Sequence, residues 1–397
     1  MIPTHQRIAH FLISNELKIT DHWFIGRFQT GIHLEKTSEF EVCPKCASKS
    51  FSVHGRRTVL VKDSPIRGNG NLLKIKKRRF RCPKCKSVFT EPVDLVQKGY
   101  RTTRRYRRGL FWACNNLLDL KRVRKAYRCS NWLVYKVFYE HLELKHRTIK
   151  NDPWPKTIGI DEHSFKRNKL GHYREFATVV VDYNNKRIKE LVHGKSQANL
   201  EAQLSHIKGK ENVKNVVLDL CDPFKNYARK SFPRAKIIAD KFHVLRLLNP
   251  SINKRRKEIT GDRRANPVRK LLLKNGFKLE YFERRALWRW LELHPTLKEV
   301  YFYKEALHKL YRTRGYQKAS KALTKLTDKM AESKLPEIKT LRKTLMKWRN
   351  EILNYFINKI TNARTEGFNN LAKLYQRRAF GYKNFENYRL RLLNAGI

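Results

Sequence analysis

The period of the hydrophobic positions changes along the chain, and each change predicts a different kind of element. Residues 1–40 keep no steady period and read as an irregular leader with some helical character. Between residues 41 and 92, apolar and polar positions alternate in "SFSVHGRRTVLVKD" and "LLKIKKRRFRC", which predicts half-buried strands. Gly68, Asn69 and Gly70 supply a turn between them. Over residues 100–145 the period lengthens. "RTTRRYRRGLFWACNNLL", "DLKRVRKAY" and "CSNWLVYKVFYEHLEL" predict helices, and the polar break at Arg128–Ser130 suggests a helix-turn-helix with Ser130 as N-cap. In the last helix Leu133, Val137 and His141 share one face, which leaves Asn131, Tyr135, Lys136 and Tyr139 for another.

From Pro155 the short period returns. "KTIGIDEHSF", "EFATVVVDY" and "RIKELVHG" predict three strands, with Asn184-Asn185 turning between the second and third. "SQANLEAQLSHIKG" then reads as a helix, "VKNVVLDL" as a strand, "PFKNYARKSFP" as a helix and "AKIIAD" as a strand. This βββαβαβ order predicts a mixed sheet with helices packed on it. From His243 to about Asn350 strand signals stop, and helix-forming, basic and aromatic sequence takes over. "EILNYFINKITNARTEGFNNLAKLYQRRAFGY" closes the pattern as one long helix, broken near Gly381.

Charge changes the picture most. The 397 residues hold 88 Lys+Arg against 35 Asp+Glu, a formal net charge of +53. Such self-repulsion implies a polyanionic partner, and the spread of basic residues from about residue 56 to 391 implies extended contact with nucleic acid. A ribosomal or chromatin-like packing protein is the plainer alternative, but those are usually smaller and poorer in aromatic residues than a chain with 7 Trp, 21 Phe and 17 Tyr. No apolar run approaches the roughly 18 residues of a membrane span, and the start lacks the pattern of a signal peptide, so a cytoplasmic, nucleoid-associated location is expected. Seven cysteines, four of them in C-x-x-C pairs, fit a reducing compartment with metal binding.

Those pairs are the two "CPKC" stretches, Cys43/Cys46 and Cys82/Cys85. Two thiolate pairs make a closed tetrahedral Cys₄ zinc site of structural type, although paired redox motifs would show the same spacing. The stretch between the pairs exceeds the usual 15–20 residues of a zinc ribbon, and a β-hairpin insert absorbs the excess. Arg78 and Arg79 beside the second pair, and Arg104, Arg105, Asn131 and Lys136 in the helical segment, are candidate DNA contacts. Their plainer reading is solvated surface charge.

An acid ends each of two apolar strands, Asp161 after "IGI" and Asp219 after "NVVL". In a ribonuclease H-type sheet strands one and four are neighbours, so these carboxylates meet. Two close carboxylates repel unless a cation such as Mg²⁺ neutralises them. A pair of such ions clamps an in-line displacement at phosphorus. A third acid should come from a helix, and "TNARTEGFNN" offers Glu366 flanked by Asn362, Arg364 and Asn370. Glu162 should point to the opposite side of its strand, Asp182 belongs to the hairpin, and Asp222 reads as an N-cap ahead of Pro223.

"IGIDEHSF", "VVVDY", "VVLDLCDPFKNYARKSFPRAKIIADKFHVLRLLN" and "TNARTEGFNNLAKLYQRRAFGYKNFENYRLRLL" together resemble a bacterial DDE transposase of the ISL3 insertion-sequence family. "CPKC…RRFRCPKC" and the "VKDSPIRG" between the pairs resemble that family's zinc finger, and the likeness spans residues 40–395. The resemblance implies an α/β RNase H-like catalytic core with a mixed five-stranded sheet, an all-α insertion domain, a β-rich zinc module and a helix-turn-helix. The expected boundaries are a leader at 1–40, the zinc module at 41–92, the helix-turn-helix at 93–150, the core at 151–243 and 351–397, and the insertion at 244–350.

It further implies Asp161, Asp219 and Glu366 as catalytic residues holding Mg²⁺ or Mn²⁺, structural Zn²⁺ on the four cysteines, and support from Asp240 and His243 of "ADKFH". Arg364, Arg377 and Arg378 join the expected contacts to double-stranded DNA, both element ends and target, by a homo-oligomer expected to be a dimer. The implied reaction cuts donor DNA at the element ends and joins the freed 3′-OH to target DNA. A non-enzymatic regulator on a degenerate core, and a nuclease acting on RNA or branched DNA, are the competing readings. One departure is local: related knuckles often carry Gly after the second cysteine of each pair, where this chain has Ala47 and Lys86.

Overall fold

The computed structural model describes residues 14–66, 68–116, 119–167, 174–261 and 266–395, in two compact units that meet at Lys145/His146. In the first unit the strands are β1 (Leu17–Phe24), β2 (Gln29–Lys36), β3 (Glu41–Val42), β4 (Lys49–Ser50), β5 (Val53–Ile66), β6 (Asn69–Arg81) and β7 (Val88–Thr90). The expected hairpin is β5–β6, turned by Gly68 at φ 80°. The stretch before residue 40 differs from the expected leader. β1 and β2 join the hairpin in the order β1-β2-β6-β5, with β2 parallel to β6. Leu17 and Leu34 from these strands pack with Val61, Leu73, Ile75 and Val93 on one face. Their apolar residues are too sparse to reveal a period in sequence; pairing to β6 organises them. Residues 1–13 of the expected leader lie outside the described residues.

Helices α1 (Arg104–Asn116), α2 (Leu120–Ala126) and α3 (Asn131–Lys150) follow. Asp63 of β5 is buried and fastens the start of α1, accepting from Thr103 Oγ1 at 2.7 Å and from the Arg105 guanidinium. Asp119 caps α2, and Ser130 Oγ accepts from Leu133 N at 3.2 Å, the expected cap of α3. The buried stripe of α3 is Val134, Val137, Phe138 and Leu142, rotated from the expected Leu133–Val137–His141 face.

The second unit carries β8 (Thr157–Arg167), β9 (Arg174–Asp182), β10 (Arg187–His193), β11 (Asn215–Leu218) and β12 (Lys236–Ala239). They form one mixed sheet in the order β10-β9-β8-β11-β12, antiparallel on the first side of β8 and parallel on the second. The two-residue period decides the layers. Val179 and Val181 face one way, toward Ala372, Tyr388 and Leu392; Val180 faces the other, with Ile158, Ile160, Val216 and Phe224.

The chain between sheet strands and beyond them is helical. α4 (Gln197–Leu204) and α5 (Asp222–Ser231) alternate with β11 and β12, and α6 (Lys241–Arg246) follows β12. Then come α7 (Asn249–Thr260), α8 (Pro267–Leu273), α9 (Tyr281–Glu292), α10 (Pro295–Leu310), α11 (Tyr316–Ala331) and α12 (Pro336–Lys347). Their core, from Leu272 to Leu345, is continuous with one face of the sheet. α13 (Arg349–Asn358), α14 (Ala363–Arg378) and α15 (Phe385–Leu393) end the unit.

Two expectations about these helices shift. The predicted single long helix is α13 plus α14, parted at Lys359, which sits at φ 52°, the left-handed region. A buried Asn362 at the next helix start does not continue the apolar stripe and instead turns to acids of the sheet end. Asp222 is the first residue of α5 and Cys221 is its N-cap, one place earlier than expected.

Candidate active site

The parallel register pairs Leu218 with Ile160, so the next residues, Asp219 and Asp161, emerge side by side at the same sheet end. Carboxylate oxygens of Asp161, Glu162 and Asp219 lie within 4.8 Å of one another. Burial, then the neighbouring Asp219 charge, pushes the Asp161 carboxyl up to about 8. Burial also raises Glu162, against the pull of Lys195 3.8 Å away. Glu162 corrects the expectation that strand alternation would turn it away. β11 ends at Leu218 while β8 runs on to Arg167, so the β8 edge beside Glu162 is vacated and its longer side chain turns back to Asp219.

A second group forms one strand further on. Asp240 follows β12, caps α6 through Phe242 N and His243 N at 3.1 and 3.2 Å, and takes His243 Nδ1 at 3.0 Å. The same Nδ1 lies 3.0 Å from Asp219 Oδ1. Bonds to Asp219 and Asp240 lift the imidazole to about 10. Burial alone would raise Asp240, yet His243 and the Asn362 N–H hold it below the usual carboxylate range.

The first turn of α14 closes over these acids. Asn362 N donates to Asp240 Oδ1 at 2.9 Å, Asn362 Nδ2 to Asp219 Oδ1 at 3.0 Å, and Asn369 Nδ2 to Asp161 Oδ2 at 2.6 Å. Glu366 stands four residues after Asn362 and three before Asn369, on the same stripe of the helix, and is exposed. Its carboxylate is not within either acid cluster. Asn370, expected on this face, is exposed, and Asn369 takes the contact instead. The i, i+4, i+7 stripe through Glu366 was the sequence signal for it. The Arg364 guanidinium donates to the Tyr183 carbonyl.

In the first unit the four cysteine sulfurs also lie within 4.8 Å of one another, with Cys43–Cys85 at 3.6 Å and Cys46–Cys82 at 3.4 Å. A tetrahedron with Zn–S bonds of about 2.3 Å has edges of about 3.8 Å, so soft thiolate donors at this spacing fit zinc. The two knuckles are built alike. Cys43 N donates to Ser48 O and Ala47 N to Cys43 O; Cys82 N donates to Ser87 O and Lys86 N to Cys82 O. Ala47 and Lys86 both adopt φ 57°, the conformation for which glycine is the usual choice. A hydrogen bond from Ser87, 3.5 Å away, lowers the Cys43 thiol to about 6.

The expected DNA contacts divide. Arg78 is held by the buried Glu91 and the Ser38 carbonyl, and Arg105 by Asp63, so both guanidinium groups serve the fold. Arg79, Arg104, Asn131, Arg377 and Arg378 are exposed. Lys136 is half-buried, 4.6 Å from the ring of the exposed Trp132. Of the aromatic residues on α9, α10 and the residue after α10, Tyr301, Tyr303 and Tyr311 are buried, Trp290 is partly so, and Trp288 and Phe302 are exposed. Among the described residues no helix is long and apolar enough to cross a membrane.

Comparison with known proteins gives matches over both parts of the chain that carry these constellations. Residues 39–85 match the zinc finger of the IS204/IS1001/IS1096/IS1165 transposases. The chain is 24% identical over 377 residues to the transposase for insertion sequence element IS1001 of Bordetella parapertussis, covering 92% of this chain and 91% of that protein. Residues 158–392, more than half of the chain and the stretch that contains Asp161, Glu162, Asp219, Asp240 and Glu366, match the ISL3 transposase model, and the protein therefore belongs to the ISL3 family of transposases.

Proposed function

We propose that the protein cuts DNA at the ends of an insertion sequence and joins the freed 3′-OH to target DNA, using Asp161, Asp219 and Glu366. The observation that carries this reading is the pairing of Asp161 with Asp219 at one sheet end, beneath a helix stripe that presents Glu366 between two asparagines bound to those same aspartates. The strand order, third-second-first-fourth-fifth, supports an RNase H-like core. The hard oxygen donors fit Mg²⁺ or Mn²⁺, which Asp161 and Asp219 would hold, with Glu366 joining them from α14. When bound, such ions activate the nucleophile and stabilise the leaving oxygen at phosphorus. Asn362 and Asn369 hold the aspartates in place, and His243 bridges Asp219 to Asp240.

DNA contact is assigned to Arg79, Arg104, Asn131, Lys136, Arg377 and Arg378, with α2 and α3 acting as a helix-turn-helix and α3 entering a major groove. Joining two ends together calls for a dimer on DNA. Asp161→Asn, Asp219→Asn and Glu366→Gln should each abolish Mn²⁺-dependent nicking and strand transfer of end-bearing DNA while leaving DNA binding intact. Parent-rate joining by any of the three would remove that residue from the assignment. A parent protein that bound ends without metal-dependent nicking would replace the reading with a DNA-binding regulator.

A further inference from the structure

Behind Asp161 a file of side chains runs from the apolar core to the carboxylate. Tyr388 Oη lies 2.7 Å from His163 Nε2, His163 Nδ1 lies 3.1 Å from Asn369 Oδ1, and Asn369 Nδ2 lies 2.6 Å from Asp161 Oδ2. Three elements supply it. β8 gives Asp161 and His163, two apart and on one face; α14 gives Asn369; α15 gives Tyr388. Tyr388 is 0% exposed and His163 and Asn369 are each 3% exposed, so solvent does not compete for these bonds.

The polarity of the file follows from its end. In the cation-holding state Asp161 is ionised and only accepts, so the Asn369 amide nitrogen faces it and the Asn369 oxygen faces the imidazole. That oxygen needs an N–H on Nδ1. The ring is buried against Tyr388 without a carboxylate of its own, so it is neutral and presents a lone pair at Nε2, to which the Tyr388 hydroxyl donates. Each donor points toward Asp161. The other Asp161 oxygen, Oδ1, accepts the Glu162 N–H at 2.8 Å. Once ionised, each carboxylate oxygen thus has one fixed donor from the fold and a lone pair that faces the Asp219 side.

We propose that Tyr388, His163 and Asn369 are positioning residues that fix the Asp161 carboxylate and aim its remaining lone pairs at the catalytic cation. This rests on the reading of Asp161 as a metal ligand given above. A buried Tyr–His pair that merely satisfied itself would not end, through an amide, on a carboxylate beside a second carboxylate.

The test is Mn²⁺ binding to the full chain without DNA, followed by electron paramagnetic resonance, with thermal unfolding in chelator as the control for folding. His163→Phe, which fills the space and breaks the file, should weaken the tightest Mn²⁺ site by about 10–100-fold. His163→Gln keeps one donor and one acceptor in a single side chain, and should return affinity to within about threefold of the parent. A His163→Phe protein that melts cooperatively and binds Mn²⁺ like the parent overturns the relay, as does His163→Gln binding no better than His163→Phe. If His163→Phe does not fold, Tyr388→Phe carries the test, because it removes one hydroxyl and keeps the ring: weakened Mn²⁺ binding supports the relay and parent affinity overturns it. Asp161→Asn separates the two layers. If it retains Mn²⁺ affinity, the carboxylate reading itself fails. If it loses affinity while His163→Phe keeps it, only the relay fails.

Discussion

At the scale of single residues, the site depends on small atoms in tight places. Gly159 lies on β8 under α14, and a Cβ there would overlap Thr365 Oγ1 and approach Tyr183 Cε2 to 2.6 Å. Gly159→Ala should cost about 1–3 kcal/mol, as overpacking does, and should lower nicking by lifting the helix that bears Glu366; melting and nicking assays read both. Ala47 and Lys86 show the opposite case, since both hold a left-handed backbone with a Cβ present. Ala47→Gly or Lys86→Gly should gain up to about 1 kcal/mol, seen as slower zinc loss to a competing chelator. Protonation is also a residue property. Asp161, raised to about 8, keeps a proton in the folded state that an unfolded carboxyl releases near 4, so metal-free stability falls as pH rises from about 4 to about 8. His243 contributes fully below about 6.5, and its share is lost as pH passes about 10. Melting curves of metal-free parent and Asp161→Asn should therefore diverge between pH 4 and 8, with the variant gaining. Curves that stay parallel would show that Asp161 is already ionised.

At the scale of elements, what the sequence made legible and what it hid have separable causes. The five sheet strands, the β5–β6 hairpin and the α3 cap follow from local periodicity and turn chemistry, which one sequence displays. β1 and β2 depend on pairing to β6, a non-local partner that no window of residues contains. Asp161 and Asp219 were legible because parallel strands of matched register end together. Glu162 and His163 were not, because one depends on where a neighbouring strand stops and the other on α14 and α15, some 200 residues away. The helix break at Lys359 was hidden for the same reason. Local propensity favours continuation, while the acids of the sheet end stabilise a fresh start at Asn362. The zinc knuckles belong to this scale too. Their ordered backbone is short and rests on the four sulfurs, so chelation should speed hydrogen exchange over residues 41–50 and 80–90 and leave the second unit unchanged. Uniform exchange across both units on chelation would tie zinc to the whole fold.

At the scale of the whole molecule, a chain with a net charge of +53 gathers a small cluster of acids at one sheet end. Binding that neutralises about 6–10 phosphates should lose about 10³–10⁵ in affinity between 50 and 200 mM salt, measurable by fluorescence anisotropy. A flat salt response would mean that the charge serves something other than the phosphate backbone. The order of the chain adds a further constraint. Asp161, Asp219 and Asp240 are made early, but the asparagines that hold them and the helix that presents Glu366 come only after the whole helical stretch from α7 to α13. A ribosome-bound chain, or one ended by a premature stop before Asn362, has the strands and no finished centre. Under the proposed function, incomplete copies of such a gene would make protein with the positive charge and without the power to cut, and these fragments would compete with the intact product for the same DNA.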